Sequence, residues 1–246
     1  MCTTCGCGDP ELVPVELHER ILAGNEATAR HNRAHFQAEG VLAINLMGSP
    51  GSGKTALLEA TARAWKGRRS LAAMSGDLET DRDARRLEAA GIPSVAITTG
   101  SACHLDAALV HHALHDAPWE GHPVDLLFIE NVGNLVCPAI YDLGEAASVV
   151  ALSLTEGEDK PLKYPIIFRK ADLVVLTKAD LLPYLDVRVD AIREALARVM
   201  PEPRVLVVSA KSGEGMEAWL GWLDERLEKL PPRVARAAHE HVHHAG

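Results

Sequence analysis

From Val41 onward, short apolar runs alternate with stretches of helical periodicity. The runs are Val41–Met47, Ser70–Ser75, Ser94–Thr98, Asp125–Ile129, Ser148–Leu154, Leu173–Thr177 and Arg204–Val208. Helical stretches fall near 54–66, 80–90, 105–116, 188–199 and 214–229. Near-continuous apolar strands separated by helices predict a parallel sheet covered on both faces. Right-handed crossovers then give an α/β fold with a doubly wound, mostly parallel sheet of about seven strands. Upstream, Leu17, Ile21 and Leu22 precede a polar stretch, which predicts an amphipathic helix over 15–39 stopped by Gly40. The polar second half places this helix across the domain surface. The chain thus divides into a tail at 1–14, a helix at 15–39, a nucleotide-binding domain at 40–230 and a polar extension at 231–246.

Composition narrows the class. The 246 residues are 47% hydrophobic and 24% charged, enough for one well-packed domain. A net charge of −9 disfavours a nucleic-acid partner, which would want a basic face. No apolar run approaches the roughly 18–20 residues that cross a bilayer, and Met1–Glu11 lacks the basic and apolar regions of a signal peptide. The expected compartment is the cytoplasm. Three of the five cysteines crowd into positions 2–7; in a reducing compartment such a cluster binds metal more often than it forms disulfides.

The first strand runs directly into Gly48-Ser-Pro-Gly51-Ser52-Gly53-Lys54-Thr55, a complete G-x-x-x-x-G-K-[ST] phosphate loop. Glycines let the backbone curl around a phosphate, with amides pointing inward at a helix N-terminus. Lys54 would reach the β- and γ-phosphates, and the Thr55 hydroxyl would sit on Mg²⁺. The base is read further on. Thr177-Lys178-Ala179-Asp180 follows the sixth run and resembles the guanine-specificity N/TKxD motif, whose carboxylate accepts from N1–H and the 2-amino group. Ser209-Ala210-Lys211 follows the last run and looks like the loop that supports the base in small GTPases. GTP is therefore favoured over ATP. Thr177 replaces the commoner Asn, which predicts a weakened or different strut to the phosphate loop.

Two carboxylates are candidates for Mg²⁺ or for orienting the attacking water. Glu130 ends the fourth run in Glu130-Asn-Val-Gly-Asn-Leu, and Asp77 ends the second in Gly76-Asp77-Leu-Glu-Thr-Asp81. No catalytic Gln follows Glu130. Helix N-capping is the alternative for Asp77 or Asp81. Lys54, Asp77 and Glu130 form the candidate catalytic set.

Cys103-His104 follows the third run and is expected to open a helix, and Cys137-Pro138 lies beyond the Glu130 loop. Strand ends of a doubly wound sheet gather along one edge, so these loops can meet near the γ-phosphate. Thiolate with imidazole suits Ni²⁺ or Zn²⁺, and a second subunit could complete the shell. Cys2, Cys5 and Cys7 offer three thiolates within six residues, with the α-amino group as a fourth donor if Met1 is removed. The histidine-containing C-terminus could add weak capacity. His18, His31 and His35 read as plain surface positions, and His111, His112 and His115 as the solvated side of a helix.

GSPGSGKT, GDLETDRDA, TTGSACHLDA, ENVGNLVCPA, TEGEDKPLKYP and TKADLLPY occur in this order, and together they resemble the HypB family of hydrogenase nickel-incorporation GTPases. The likeness runs from about residue 15 to 229. It implies a homodimer tightened by GTP, slow hydrolysis, nickel delivery during [NiFe]-hydrogenase assembly with accessory proteins, and Cys103, His104 and Cys137 as ligands near the dimer interface. It also implies that Lys160 reaches the partner's nucleotide. The related urease-assembly GTPases are a close alternative. A nickel-storage or sensing protein regulated by nucleotide is a further one, and a small-molecule kinase fits poorly because TKAD and SAK would have no role.

Overall fold

The computed structural model describes residues 15–100, 102–119 and 122–231, with side chains from Ile21 onward. Helix α1 (Val15–Ala38) leads into β1 (Leu42–Met47), α2 (Lys54–Trp65), β2 (Leu71–Asp77), α3 (Arg82–Ala89), β3 (Ser94–Thr98), α4 (Ala107–His115) and β4 (Leu126–Glu130). Then come β5 (Ala147–Ser153), α5 (Lys160–Lys163), α6 (Pro165–Lys170), β6 (Leu173–Thr177), α7 (Val189–Val199), β7 (Val205–Val207) and α8 (Met216–Glu228). The seven strands form one sheet in the order β3-β2-β4-β1-β5-β6-β7. Every neighbouring pair is parallel, so the mostly parallel expectation becomes a fully parallel sheet.

Both faces are buried, as the continuous apolar runs require. Leu42, Ile44 and Leu46 of β1 point into a core with Leu57 and Trp65 of α2 and Trp219 of α8. Ala43 points the other way, into a second core with Phe36 of α1 and Val110 of α4. A third, around Phe168 and Ile192, fills the same face under α6 and α7. Trp219 Nε1 donates to Thr61 Oγ1 at 2.8 Å, which satisfies the one polar atom of a fully buried indole and pins α8 to α2.

Three expectations need correction. Ile21 is 47% exposed, whereas Ala29 and Phe36 of α1 are buried. Two polar residues of α1 are docking groups: Asn32 is fully buried and donates to the carbonyls of Ala107 and Leu143, while Arg33 holds both carboxylate oxygens of Asp142. Second, α4 starts at Ala107 and not at Cys103, because Asp106 is its N-cap and accepts from the Leu109 amide at 2.8 Å. Third, α5 and α6 were unforeseen; each carries proline in its first turn, where no amide donor is required.

Candidate nucleotide and metal site

The phosphate loop leaves the centre of the sheet, between β4 and β5. Gly51 and Gly53 take φ of 72° and 89°, backbone that residues with a Cβ rarely adopt. A Cβ at Gly133 would lie 2.9 Å from Pro50 atoms, so the loop after β4 packs directly on the phosphate loop. An isolated bridge between Gly48 and Asn134 ties the same two loops. Lys54 Nζ donates to the carbonyls of Gly48 and Ser49, both at 3.2 Å, and burial pushes its pKa below the ordinary lysine value.

Two cavities flank this loop and share Gly53 and Ala56. One, of about 470 Å³, is lined by Lys54, Thr55, Asp77, Glu130 and Gly133 together with Asp83 and Arg86. Thr55 Oγ1 donates to Glu130 Oε1 at 2.8 Å, while the buried Glu130 Oε2 has no hydrogen-bond partner. Burial lifts the Glu130 pKa to about 7, against the opposing pull of Lys54 and Thr55. Asp77, the last residue of β2, faces this cavity and accepts from the Glu79 and Thr80 amides, which holds its carboxyl below the usual range. Asp81 occupies the N-cap position of α3 without a capping bond and pairs with Arg85 instead. The turn and the cavity wall are therefore both served by Asp77.

The second cavity, about 340 Å³, is lined by Thr177, Lys178, Asp180, Ala210 and Lys211. Ser209 Oγ donates to Asp180 Oδ1 at 2.6 Å and accepts from the Lys211 and Ser212 amides, which orients the carboxylate. The strut to the phosphate loop is intact: Thr177 Oγ1 donates to the Ser52 carbonyl at 2.5 Å, a hydroxyl in place of the commoner amide. Lys178 takes φ of 62°, turning the chain back toward the cavity. Lys160 lines neither cavity; it lies 3.9 Å from Glu156 and over the Tyr164 ring.

Beside the first cavity, Cys103, His104 and Cys137 converge. Their ligand atoms all lie within 4.8 Å of one another, and no other such group occurs among the described residues. The two Sγ atoms are 2.9 Å apart, with Cys103 Sγ 3.9 Å from His104 Nδ1. His104 is buried and stacks on Tyr141 at 4.0 Å. Burial lowers its pKa, which favours the neutral imidazole that a cation needs. Cys2, Cys5, Cys7 and the histidine-containing C-terminus lie outside the described residues.

The sequence reading missed Asp83, Arg86, Tyr141 and above all Asn131 and Asn134. The Asn131 side chain accepts from the Leu105 amide at 3.1 Å and donates to Asn45, and Asn134 donates to the Cys103 carbonyl at 3.3 Å. Both asparagines stand inside the Glu130 loop, a spacing visible in Glu130-Asn-Val-Gly-Asn but without meaning until the cysteine loop is placed beside it.

A fully parallel sheet with a G-x-x-x-x-G-K-T loop at its central strand defines a P-loop nucleoside triphosphatase, here with a cysteine–histidine cluster against the Glu130 loop. Residues 42–207 match the model of the CobW/HypB/UreG nucleotide-binding domain. The chain is 52% identical over 221 residues to the hydrogenase maturation factor HypB of Azotobacter vinelandii, covering 89% of this chain and 72% of that protein. It is 41% identical to the hydrogenase/urease maturation factor HypB of Helicobacter pylori, over 86% of this chain and 88% of that one. The crystal structure of Helicobacter pylori HypB in complex with nickel superposes with a TM-score of 0.80 at 40% identity, over 83% and 95% of the two chains. The chain belongs to the CobW/HypB/UreG family, within its HypB group.

Proposed function

We propose that this protein is a GTP-hydrolysing nickel carrier that supports nickel insertion during [NiFe]-hydrogenase assembly. The observation that carries the reading is the convergence of Cys103, His104 and Cys137, tied through Asn131 and Asn134 to the Glu130 loop. A change at the γ-phosphate end then alters the geometry offered to the ion. The names of the relatives, hydrogenase maturation factors, support the same client, and a relative solved with nickel supports the same cargo.

Guanine is favoured by Asp180, held by Ser209 with its other oxygen available to N1–H and the 2-amino group; adenine would leave a carboxylate without donors. Gly48, Gly51, Ser52 and Gly53 cradle the phosphates, Lys54 neutralises them, and Lys178 covers the purine with Ala210 and Lys211 at the rim. Mg²⁺ fits the chemistry of the site, since the buried Glu130 Oε2 lacks a partner beside the Thr55 hydroxyl. When bound, that ion would offset charge on the β- and γ-phosphates. Thr55 and Glu130 would hold it, and Asp77 would orient the attacking water or its shell.

Three protein donors leave a tetrahedral or square-planar shell short by one. A second copy of the chain completes it in this reading, with GTP favouring the dimer and Lys160 reaching across. Val136 and Ile140, on either side of Cys137, are 50% and 37% exposed, an apolar rim suited to such a contact. The ion in the site is nickel or zinc. Cys2, Cys5 and Cys7 form a separate, first-contact site, and the cytoplasm is the compartment where such thiols stay reduced. Among the described residues no helix is long and apolar enough to cross a membrane.

The test is an anaerobic Ni²⁺ titration followed by thiolate-to-metal absorbance, with GDP and with a non-hydrolysable GTP analogue, alongside turnover of GTP and ATP. Charge-transfer bands lost in Cys103→Ser and Cys137→Ser, shifted by nucleotide in the wild type, support the reading. GTP turnover that survives Lys54→Ala, or bands indifferent to both substitutions, overturns it. A urease client is the second reading, favoured by the dual name of the Helicobacter pylori relative.

A further inference from the structure

Helices α1 and α4 pack side by side, and each carries two histidines one turn apart: His31 and His35 on α1, His111 and His115 on α4. A spacing of four places both imidazoles of a pair on one helix face. The structure turns these faces toward each other across a groove of about 520 Å³, lined by His31, His35, Glu39, His111, His115 and His122. The sequence alone reads His31 and His35 as plain surface positions and His111 and His115 as the solvated side of a helix. They do lie at the surface, but together.

The spacing of the rings is informative. His111 stands 5.0 Å from His31 at 80° and 5.0 Å from His115 at 87°, centroid to centroid. Imidazoles sharing one tetrahedral ion, with metal–nitrogen bonds of about 2.0–2.1 Å, have centroids about 5 Å apart. Both separations from His111 thus match rings that share an ion. As placed, the nitrogens of these histidines do not converge on one point, unlike the ligand atoms of the Cys103 cluster. His111 is partly shielded from water and surrounded by His115, His31, His112 and His35; burial first, and then these neighbours, keep its pKa below the ordinary histidine value. A neutral His111 imidazole at pH 7 follows. A divalent cation can be shared by His31, His111 and His115, whose rings meet at His111.

We propose that His31, His111 and His115 form a second cation site, binding one first-row divalent ion of borderline softness such as Ni²⁺ or Zn²⁺ and fastening α1 to α4. His35 stands at the rim of the same groove. The site is separate from the thiolate cluster. Asp106 caps the end of α4 beside His104, and His111 and His115 lie one and two turns further along. Its all-nitrogen donor set gives no thiolate charge-transfer band, so the two sites are spectroscopically distinguishable.

The test uses the full chain. Bound Ni²⁺ and Zn²⁺ are counted after gel filtration for the wild type and for a His31→Gln/His111→Gln/His115→Gln variant, with thiolate absorbance recorded in parallel. The expected result is one ion fewer per chain in the variant with unchanged thiolate bands, so loss of this site is not confused with failure of the Cys103 site. A second measurement needs no variant: diethyl pyrocarbonate labelling of the wild type, mapped by peptide mass spectrometry with and without Zn²⁺. Suppressed labelling of His31, His111 and His115 supports the site. Equal ion counts in the two proteins, or labelling that Zn²⁺ leaves unchanged at these three residues, overturns it.

Discussion

The amide of Leu105 donates to the side-chain oxygen of Asn131 at 3.1 Å, joining the residue after His104 to the residue after Glu130. Asn131 is 1% exposed, and the same oxygen also takes the Val132 amide. The Cys103–His104 loop and the Glu130 loop therefore share one buried side-chain amide. Asn131→Ala should leave buried donors without partners and cost about 1–3 kcal/mol of stability. In nickel titrations it should also abolish most of the difference between GDP and a GTP analogue. A variant that keeps the nucleotide response would place the coupling elsewhere.

Glu130 gives a pH signature. Its folded pKa is about 7, against an ordinary 4.5, because burial disfavours the charge. The folded chain thus binds more protons than the unfolded chain between these values, and stability falls as pH rises across that window. The full effect is on the order of 3 kcal/mol. Glu130→Gln should lack this slope in denaturant melts taken from pH 4.5 to 8. Saturating Mg²⁺ and GTP should flatten the wild-type slope, since they favour the carboxylate.

His104 should release no proton when metal binds at pH 7. Burial holds the His104 pKa below its ordinary 6.5, so the imidazole is already neutral at pH 7. Calorimetry of Ni²⁺ binding in buffers of different ionisation enthalpy should report the same proton release for the wild type and for a His104→Gln variant that still binds.

Thr177→Val removes the hydroxyl that reaches the Ser52 carbonyl. Leaving that buried acceptor unpaired should cost roughly 1–2 kcal/mol in urea melts. GTP affinity should fall several-fold, because the base loop and phosphate loop lose their direct link. Thr177→Ser should restore both, which separates the hydrogen bond from the methyl packing.

What was legible in the sequence was what lies contiguous in it. The apolar runs gave seven strands to within one or two residues at most ends, and Gly48–Thr55 announced the phosphate site because loop, lysine and hydroxyl sit in eight consecutive residues. Cys103 and Cys137 could be paired only through the general tendency of strand ends to gather. Contacts made across long separations left no local trace. Asn32 reaches Leu143 across 111 residues, and nothing in a polar helix distinguishes an asparagine docked in a core from one in water. The same holds for α1 as a whole: Leu17, Ile21 and Leu22 look like its buried stripe, yet the small Ala29 and the lone Phe36 mark the face that α4 and the sheet require. Asp106, by contrast, was a readable N-cap, and weighing it would have moved the start of α4 past His104.

The 2.9 Å contact between Cys103 and Cys137 has a practical side. Two thiols this close need only surrender two electrons and two protons to dissolved oxygen to become a disulfide, after which the cluster offers a single imidazole. Metal content measured on aerobically handled protein would then report the redox history of the sample and not the affinity of the site. Preparations kept under a reductant, with thiols counted before each titration, are the ones whose stoichiometry can be compared.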